Sequence, residues 1–149
     1  MHLDLISISL YALTFVVCGA ALWKGEAAER WAGGLNMGMF LVGMLAARLN
    51  IGEFGLLELV GDGLTALGFL ILTVTYGRLW LGLAMLFQAA QFTLHSYYLV
   101  LERKHDVLHA VVNDVDFFGI LLSLAVGTAL TVRRRQKTRR AAAAAGSAA

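Results

Sequence analysis

The sequence predicts an all-α transmembrane bundle of five spans, with the N-terminus outside and the C-terminus inside. Hydrophobic residues make up 59% of the 149 positions and charged residues only 15%, whereas a soluble domain has roughly 25% charged residues. There is no proline, and five apolar segments each approach the roughly 20 residues that a helix needs to cross the hydrocarbon. Lysine and arginine also divide unequally between the two sides, which sets the orientation.

Short polar connections separate the five predicted spans. The spans cover about residues 3–23, 31–49, 56–77, 79–101 and 107–132. The third is the weakest, because Glu58 and Asp62 leave only residues 63–77 free of charge. Hydropathy alone therefore also allows a re-entrant third segment and four spans.

The distribution of positive charge favours five spans over four. Five spans place nine lysines and arginines on one side and three on the other, whereas four spans give at best eight against four. Because positive charge marks the cytoplasmic side, residues 1–132 are predicted to form the bundle. Residues 133–149 are predicted to form a cytoplasmic tail, first basic and then alanine-rich and disordered.

The basic part of this tail runs from Arg133 to Arg140. It is typical of a stop-transfer anchor beside a last helix, and its charge also suits anionic lipid or RNA. We predict contact with anionic lipid and no nucleic-acid partner. The second span adds Gly34 and Gly38, whose spacing permits helices to pack closely, within the chain or in a homo-oligomer.

Polar residues recur at steps of three and four along the third, fourth and fifth spans, which predicts that they face other helices. A charge near the membrane centre costs roughly 2.5–3.5 kcal/mol, so such groups usually find partners inside a bundle. Counting residues from the ends of the spans places these groups at a similar depth. They are therefore predicted to form one layer in the outward-facing half of the bundle. The predicted layer contains Glu58, Asp62, Gln91, His95, His109, Asn113 and Asp116.

The short connection after residue 101 predicts that the fourth and fifth spans form an antiparallel hairpin. Counting from its centre gives the opposed pairs His95 with Asn113, Gln91 with Asp116, and His109 with Tyr98. Hydrogen bonds from His95 to Asn113 or Asp116 are therefore expected. The same count places His109 near the surface, several residues away from His95 in depth.

Three kinds of chemistry remain open for this layer beside a purely structural one. Asp62, His95 and Asp116 are the candidate ligands for a divalent metal, and His95 with His109 for haem b. A proton relay from Asp62 through His95 to Asp116 is the third. Against a complete relay, the inner halves of the spans carry almost no titratable group.

Several short motifs lie between residue 53 and the arginine-rich end of the chain. They are Glu53-Phe54-Gly55, Val60-Gly61-Asp62, Tyr76-Gly77-Arg78-Leu79-Trp80, Gln88 followed by His95, and Gly127-Thr128. Together they resemble those of a group of small, uncharacterised multi-pass membrane proteins of alphaproteobacteria. This chain lacks the proline that such proteins often carry between Arg78 and Trp80. The resemblance implies a place in the bacterial inner, or cytoplasmic, membrane.

The sequence contains no motif that is typical of catalysis. A phosphate-binding glycine loop, a Gly-x-Ser-x-Gly elbow and a paired-histidine protease motif are all missing. We therefore expect a non-catalytic protein without a cofactor, a structural or accessory subunit of a larger membrane complex or a homo-oligomer. A transport element that binds a proton, a metal or haem is the alternative.

Overall fold

The computed structural model describes residues 2–49, 54–102 and 106–146, which form five α-helices. The helices are α1 (His2–Lys24), α2 (Ala27–Leu49), α3 (Phe54–Tyr76), α4 (Leu79–Val100) and α5 (Val107–Gly146). They follow the five predicted segments in order. Two boundaries differ, because α2 begins before Trp31 and α5 continues past Val132. The alanine-rich run, which was expected to be disordered, is helical as far as Gly146.

The five helices form a ring in chain order. Each packs against its neighbours in sequence, and α5 closes the ring on α1 while also touching α2. Short connections make consecutive helices antiparallel. The turn at Gly25 and Glu26, the turn at Gly77 and Arg78, and the basic continuation of α5 therefore meet at one end. We call this the basic end.

Local sequence explains where two of the helices stop or start. Gly77 follows α3 with a left-handed φ of 59° and donates its N–H to the Thr73 carbonyl at 2.9 Å, which is a common glycine-dependent helix end. Asp106 precedes α5 and accepts the backbone N–H of His109 at 2.9 Å. That bond satisfies one of the donors left free in the first turn of a helix.

The apolar core lies in the half of the bundle near the basic end. Small side chains from α1 and α2 meet larger ones from α3, α4 and α5, and the buried set is Cys18, Ala21, Ala28, Ala32, Phe69, Trp80, Leu81, Ala84, Ile120, Leu121 and Leu124. A very close approach lies at Gly127, where a Cβ atom would fall 2.4 Å from the Trp80 indole. Trp80 can therefore lie flat against α5 only because residue 127 is glycine.

Three helices of the described part are long and apolar enough to cross a membrane. They cover Ala27–Leu49, Leu56–Tyr76 and Val107–Ala145, and Ile8–Lys24 adds a shorter apolar helix. The outer surface of the bundle exposes many large hydrophobic side chains, among them Val74 and Leu86. A continuous apolar exterior of this kind suits lipid, because soluble monomers rarely expose large apolar patches.

The contact between Gly127 and Trp80 gives the first prediction. Gly127→Ala should lower the free energy of unfolding by about 1–3 kcal/mol, the usual cost of overpacking a core. The matched control is Gly19→Ala, since a Cβ atom there meets nothing within 4 Å. Unfolding in mixed micelles with increasing SDS measures both variants, and equal effects would show that the contact with Trp80 is unimportant.

Candidate functional site

A buried acid–base pair joins α3 to α4 in the half of the bundle away from the basic end. One carboxylate oxygen of Asp62 contacts Nδ1 of His95, and the other accepts a hydrogen bond from Nε2 of Gln88 at 3.0 Å. The His95 ring is only 8% exposed. Glu58 lies one turn before Asp62 on α3 and interacts electrostatically with the same ring. Asp62 is thus held by two side chains of α4.

From this pair, further side chains continue toward the end opposite the basic end. The centroids of the His95 and His109 rings are 5.2 Å apart, and those of His109 and Tyr98 are 4.7 Å apart. The Tyr98 hydroxyl donates to the carboxylate of the exposed Asp106 at 2.6 Å. Polar and aromatic groups therefore connect the partly buried Asp62 with an exposed carboxylate, and we call this series the Asp62–Asp106 chain.

The structure brings together two of the predicted side chains on α4 and α5 in a different pairing. Gln91 donates to the Asn113 side-chain oxygen at 3.0 Å, whereas Asp116 was the predicted partner. Asp116 is only 6% exposed, and its Oδ2 has no hydrogen-bond partner among the described residues. Among the described residues, no three His, Cys, Asp or Glu side chains lie close enough together to hold a metal.

The predicted partners of His95 were wrong, and so was the expected difference in depth between His95 and His109. His95 pairs with Asp62 of α3, not with Asn113 or Asp116, and its ring lies against that of His109. Gln91 meets Asn113 where Asp116 was expected. The His95 ring lies against His109 where Asn113 was expected, so these two contacts fall three to four residues earlier on α5 than the count gives. Only the opposition of His109 and Tyr98 is confirmed.

A second polar assembly at the basic end was not predicted. Its centre is Glu29 in the first turn of α2, which is 0% exposed. Its Oε1 accepts a hydrogen bond from the Thr131 hydroxyl at 2.9 Å and lies 3.5 Å from Nη1 of Arg78. Its Oε2 accepts the backbone N–H of Glu26 at 2.9 Å, as in half of a capping box.

Three arginines converge on the carboxylate of Glu26 beside this centre. Arg78 lies 2.9 Å away, Arg134 2.6 Å and Arg135 3.4 Å. The hydrogen bond from Arg134 is the largest cause that holds the pKa of Glu26 below its ordinary value, and Arg78 adds to it, while desolvation of the carboxylate opposes the shift. Together with Glu29 and Thr131, these residues form what we call the ion cluster, which ties both turns to α5.

Sequence reasoning missed the ion cluster because it placed residues 24–30 in a loop and counted only cations. A usable signal was present. Glu26 and Glu29 fall on the same predicted side as Arg78 and the basic tail, and opposite charges gathered at one end of a bundle are expected to pair. A helix beginning at Ala27 then turns Glu29 inward.

No family model, curated protein or solved structure matches this chain. What the site does must therefore be argued from its geometry. That geometry offers a paired acid and base connected to one end of the bundle, and a set of fixed ion pairs at the other.

The Asp62–His95 pair gives the second prediction. His95→Ala should lower the free energy of unfolding by roughly 2–4 kcal/mol, because it removes the imidazole partner of a largely buried carboxylate. The double variant Asp62→Leu with His95→Leu should recover at least half of that loss, since no carboxylate is then left without its imidazole partner and only the neutral Gln88 amide loses a hydrogen bond. Unfolding in mixed micelles is the measurement.

The control for this prediction is Thr93→Ala, which lies on an exposed face of α4 and bonds only within its own helix. It should change stability little. Additive losses in the double variant would contradict the pairing of Asp62 with His95.

The ion cluster gives the third prediction, which concerns pH. A carboxylate whose pKa is lowered by folding stabilises the protein above its ordinary pKa of 4.5, and this contribution is lost as the pH falls through the folded-state pKa. Glu26→Gln should therefore lower stability at neutral pH and flatten its decline in acid. The exposed Glu102, at the other end of the bundle, supplies the control Glu102→Gln, and identical acid profiles would contradict the role of Glu26.

Proposed function

We propose that this chain is a non-catalytic protein of the bacterial inner membrane that acts as a structural or accessory subunit of a larger membrane complex. All five helices cross the membrane, with the N-terminus outside, the C-terminus inside and the basic end in the cytoplasm. The similar lengths of α1 to α4, their short connections and the nine cations on one side support this arrangement. Anionic lipid is the expected partner of the segment from Arg133 to Arg140, and no nucleic acid is proposed.

The observation that carries the structural role is that buried polar groups are mostly satisfied within the chain itself. Asp62 is held by His95 and Gln88, and Glu29 by Thr131 and Arg78. Partners that already satisfy each other fix the register of the helices and leave few groups for a ligand. The proposed role therefore includes no cofactor.

The outer face of α2 supports the proposal of a larger assembly. Gly38 and Gly43 are exposed, and a Cβ atom at either position would meet nothing within 4 Å. Glycines on a lipid-facing surface let a second helix approach closely. That second helix belongs to a partner subunit or to another copy of this chain.

A proton-binding transport element is the second candidate, and the Asp62–Asp106 chain is the observation that favours it. Imidazole and carboxylate groups in series suit proton transfer. Two other forms of this candidate bind a different ligand in place of the proton. One binds a divalent metal at Asp62, His95 and Asp116, and the other binds haem b at His95 and His109. Of these, the proton needs the least rearrangement of the observed contacts, since Asp62 and His95 already meet.

Purification in mild detergent tests the proposed role. The tagged chain, solubilised from its own membrane, should migrate on native gels above its monomer mass, with a partner or further copies present in fixed ratio. His95→Ala should leave this assembly intact, since the layer lies inside the bundle. A lone monomer in several mild detergents would refute the subunit role.

Reconstituted vesicles that enclose a pH-sensitive dye separate the two candidates. A structural subunit gives no proton flux above that of empty vesicles. Flux that Asp62→Asn and His95→Ala abolish, and that Thr93→Ala preserves, would instead favour the transport element.

A further inference from the structure

One exposed face of α5 changes from apolar to basic without a break. Its residues recur at steps of three and four, so they lie along one stripe of the helix. The stripe consists of Val111, Val115, Phe118, Leu122, Val126 and Leu130, followed by Arg133, Lys137 and Arg140, all of them exposed. The face that suits lipid chains thus leads directly to three cations.

Two of the other three cations of the same segment face a different neighbour. Arg134 and Arg135 reach back to the carboxylate of Glu26, and Arg135 also donates to the Lys24 carbonyl at 3.4 Å. These two arginines are therefore engaged within the chain. Because the segment is helical and not disordered, its side chains lie on distinct faces. Arg134 and Arg135 bond within the chain, whereas Arg133, Lys137 and Arg140 lie on the exposed stripe.

We propose that Arg133, Lys137 and Arg140 bind the phosphate groups of anionic lipids in the leaflet at the basic end. This rests on the membrane placement given under the proposed function, but not on the subunit role. Guanidinium groups bind phosphate through paired N–H donors, and lysine adds a compact charge. Arg133 and Arg140 lie about 10 Å apart along a helix, so all three act within about one Debye length of the headgroups.

The position of the stripe decides in favour of lipid over other polyanions. Leu130 lies one turn before Arg133 on the same exposed face. A membrane that covers Leu130 with acyl chains necessarily brings its headgroups beside Arg133. A soluble polyanion has no such constraint and would use Arg139 equally well.

Tryptophan fluorescence provides the test, because two indoles report on the same leaflet. Trp23 is 82% exposed and Trp31 is 66% exposed, and both lie near the basic end. The full-length protein is placed in nanodiscs that contain either brominated phosphatidylglycerol or brominated phosphatidylcholine. Phosphatidylglycerol should quench the fluorescence more strongly at equal mole fraction, and this preference should fall at high salt.

Two triple variants with the same loss of charge make the test specific. Replacing Arg133, Lys137 and Arg140 by Gln should weaken the relative association of phosphatidylglycerol by about fivefold for each cation removed. Replacing Arg134, Arg135 and Arg139 by Gln should keep most of the preference. Circular dichroism checks that both variants keep their helical content.

Equal losses in the two variants would overturn the proposal, because net charge alone would then explain binding. An absence of preference in the unmodified protein, or tight binding of an RNA oligonucleotide that depends on the same three cations, would also overturn it. Failure of membrane placement would appear differently, as weak quenching by both lipids. Failure of the subunit role would leave the lipid preference unchanged.

Discussion

A fully buried carboxylate must receive hydrogen bonds from its own protein, and Glu29 imposes this requirement on the basic end. The groups that meet it come from three distant parts of the chain: the backbone of its own turn, the start of α4 and the far part of α5. Thr131 lies 102 residues after Glu29 in sequence. Because an unsatisfied buried carboxylate is very costly, the ring of helices is most stable when α5 closes against both turns. Glu29 therefore connects the start of α2 to the far part of α5.

In the opposite half of the bundle, polar side chains of other helices also bond to one another. Asp62 joins α3 to α4 through His95, and Gln91 joins α4 to α5 through Asn113. Between the two polar assemblies lies the apolar core, whose contacts are non-directional and tolerate sliding of one helix along another. Directional bonds above and below the core restrict that sliding. We infer that the core supplies buried area and the polar pairs supply register.

Periodicity was enough to predict which faces are buried, but not which side chains meet. The predicted stripes of α4 and α5 are largely buried, as His95 and Asp116 show. Pairing failed because it depends on register, and a count from the centre of the predicted turn fixes register only to within a few residues. Gln91 meets Asn113, three residues before the predicted Asp116. Glu29 was missed for a similar reason, since moving the start of a helix by a few residues converts a loop acid into a buried one.

The apolar core also bears on the choice between a structural and a transport role. The Asp62–Asp106 chain opens toward one end, and the ion cluster occupies the other. Between them Leu81, Ile120 and Leu124 are fully buried. The hydroxyls of Ser123 and Thr128 at this level donate to carbonyls of their own helix, so within the described residues they do not connect the two assemblies. Transport across the bundle would require these packed side chains to separate, whereas a structural role requires no movement.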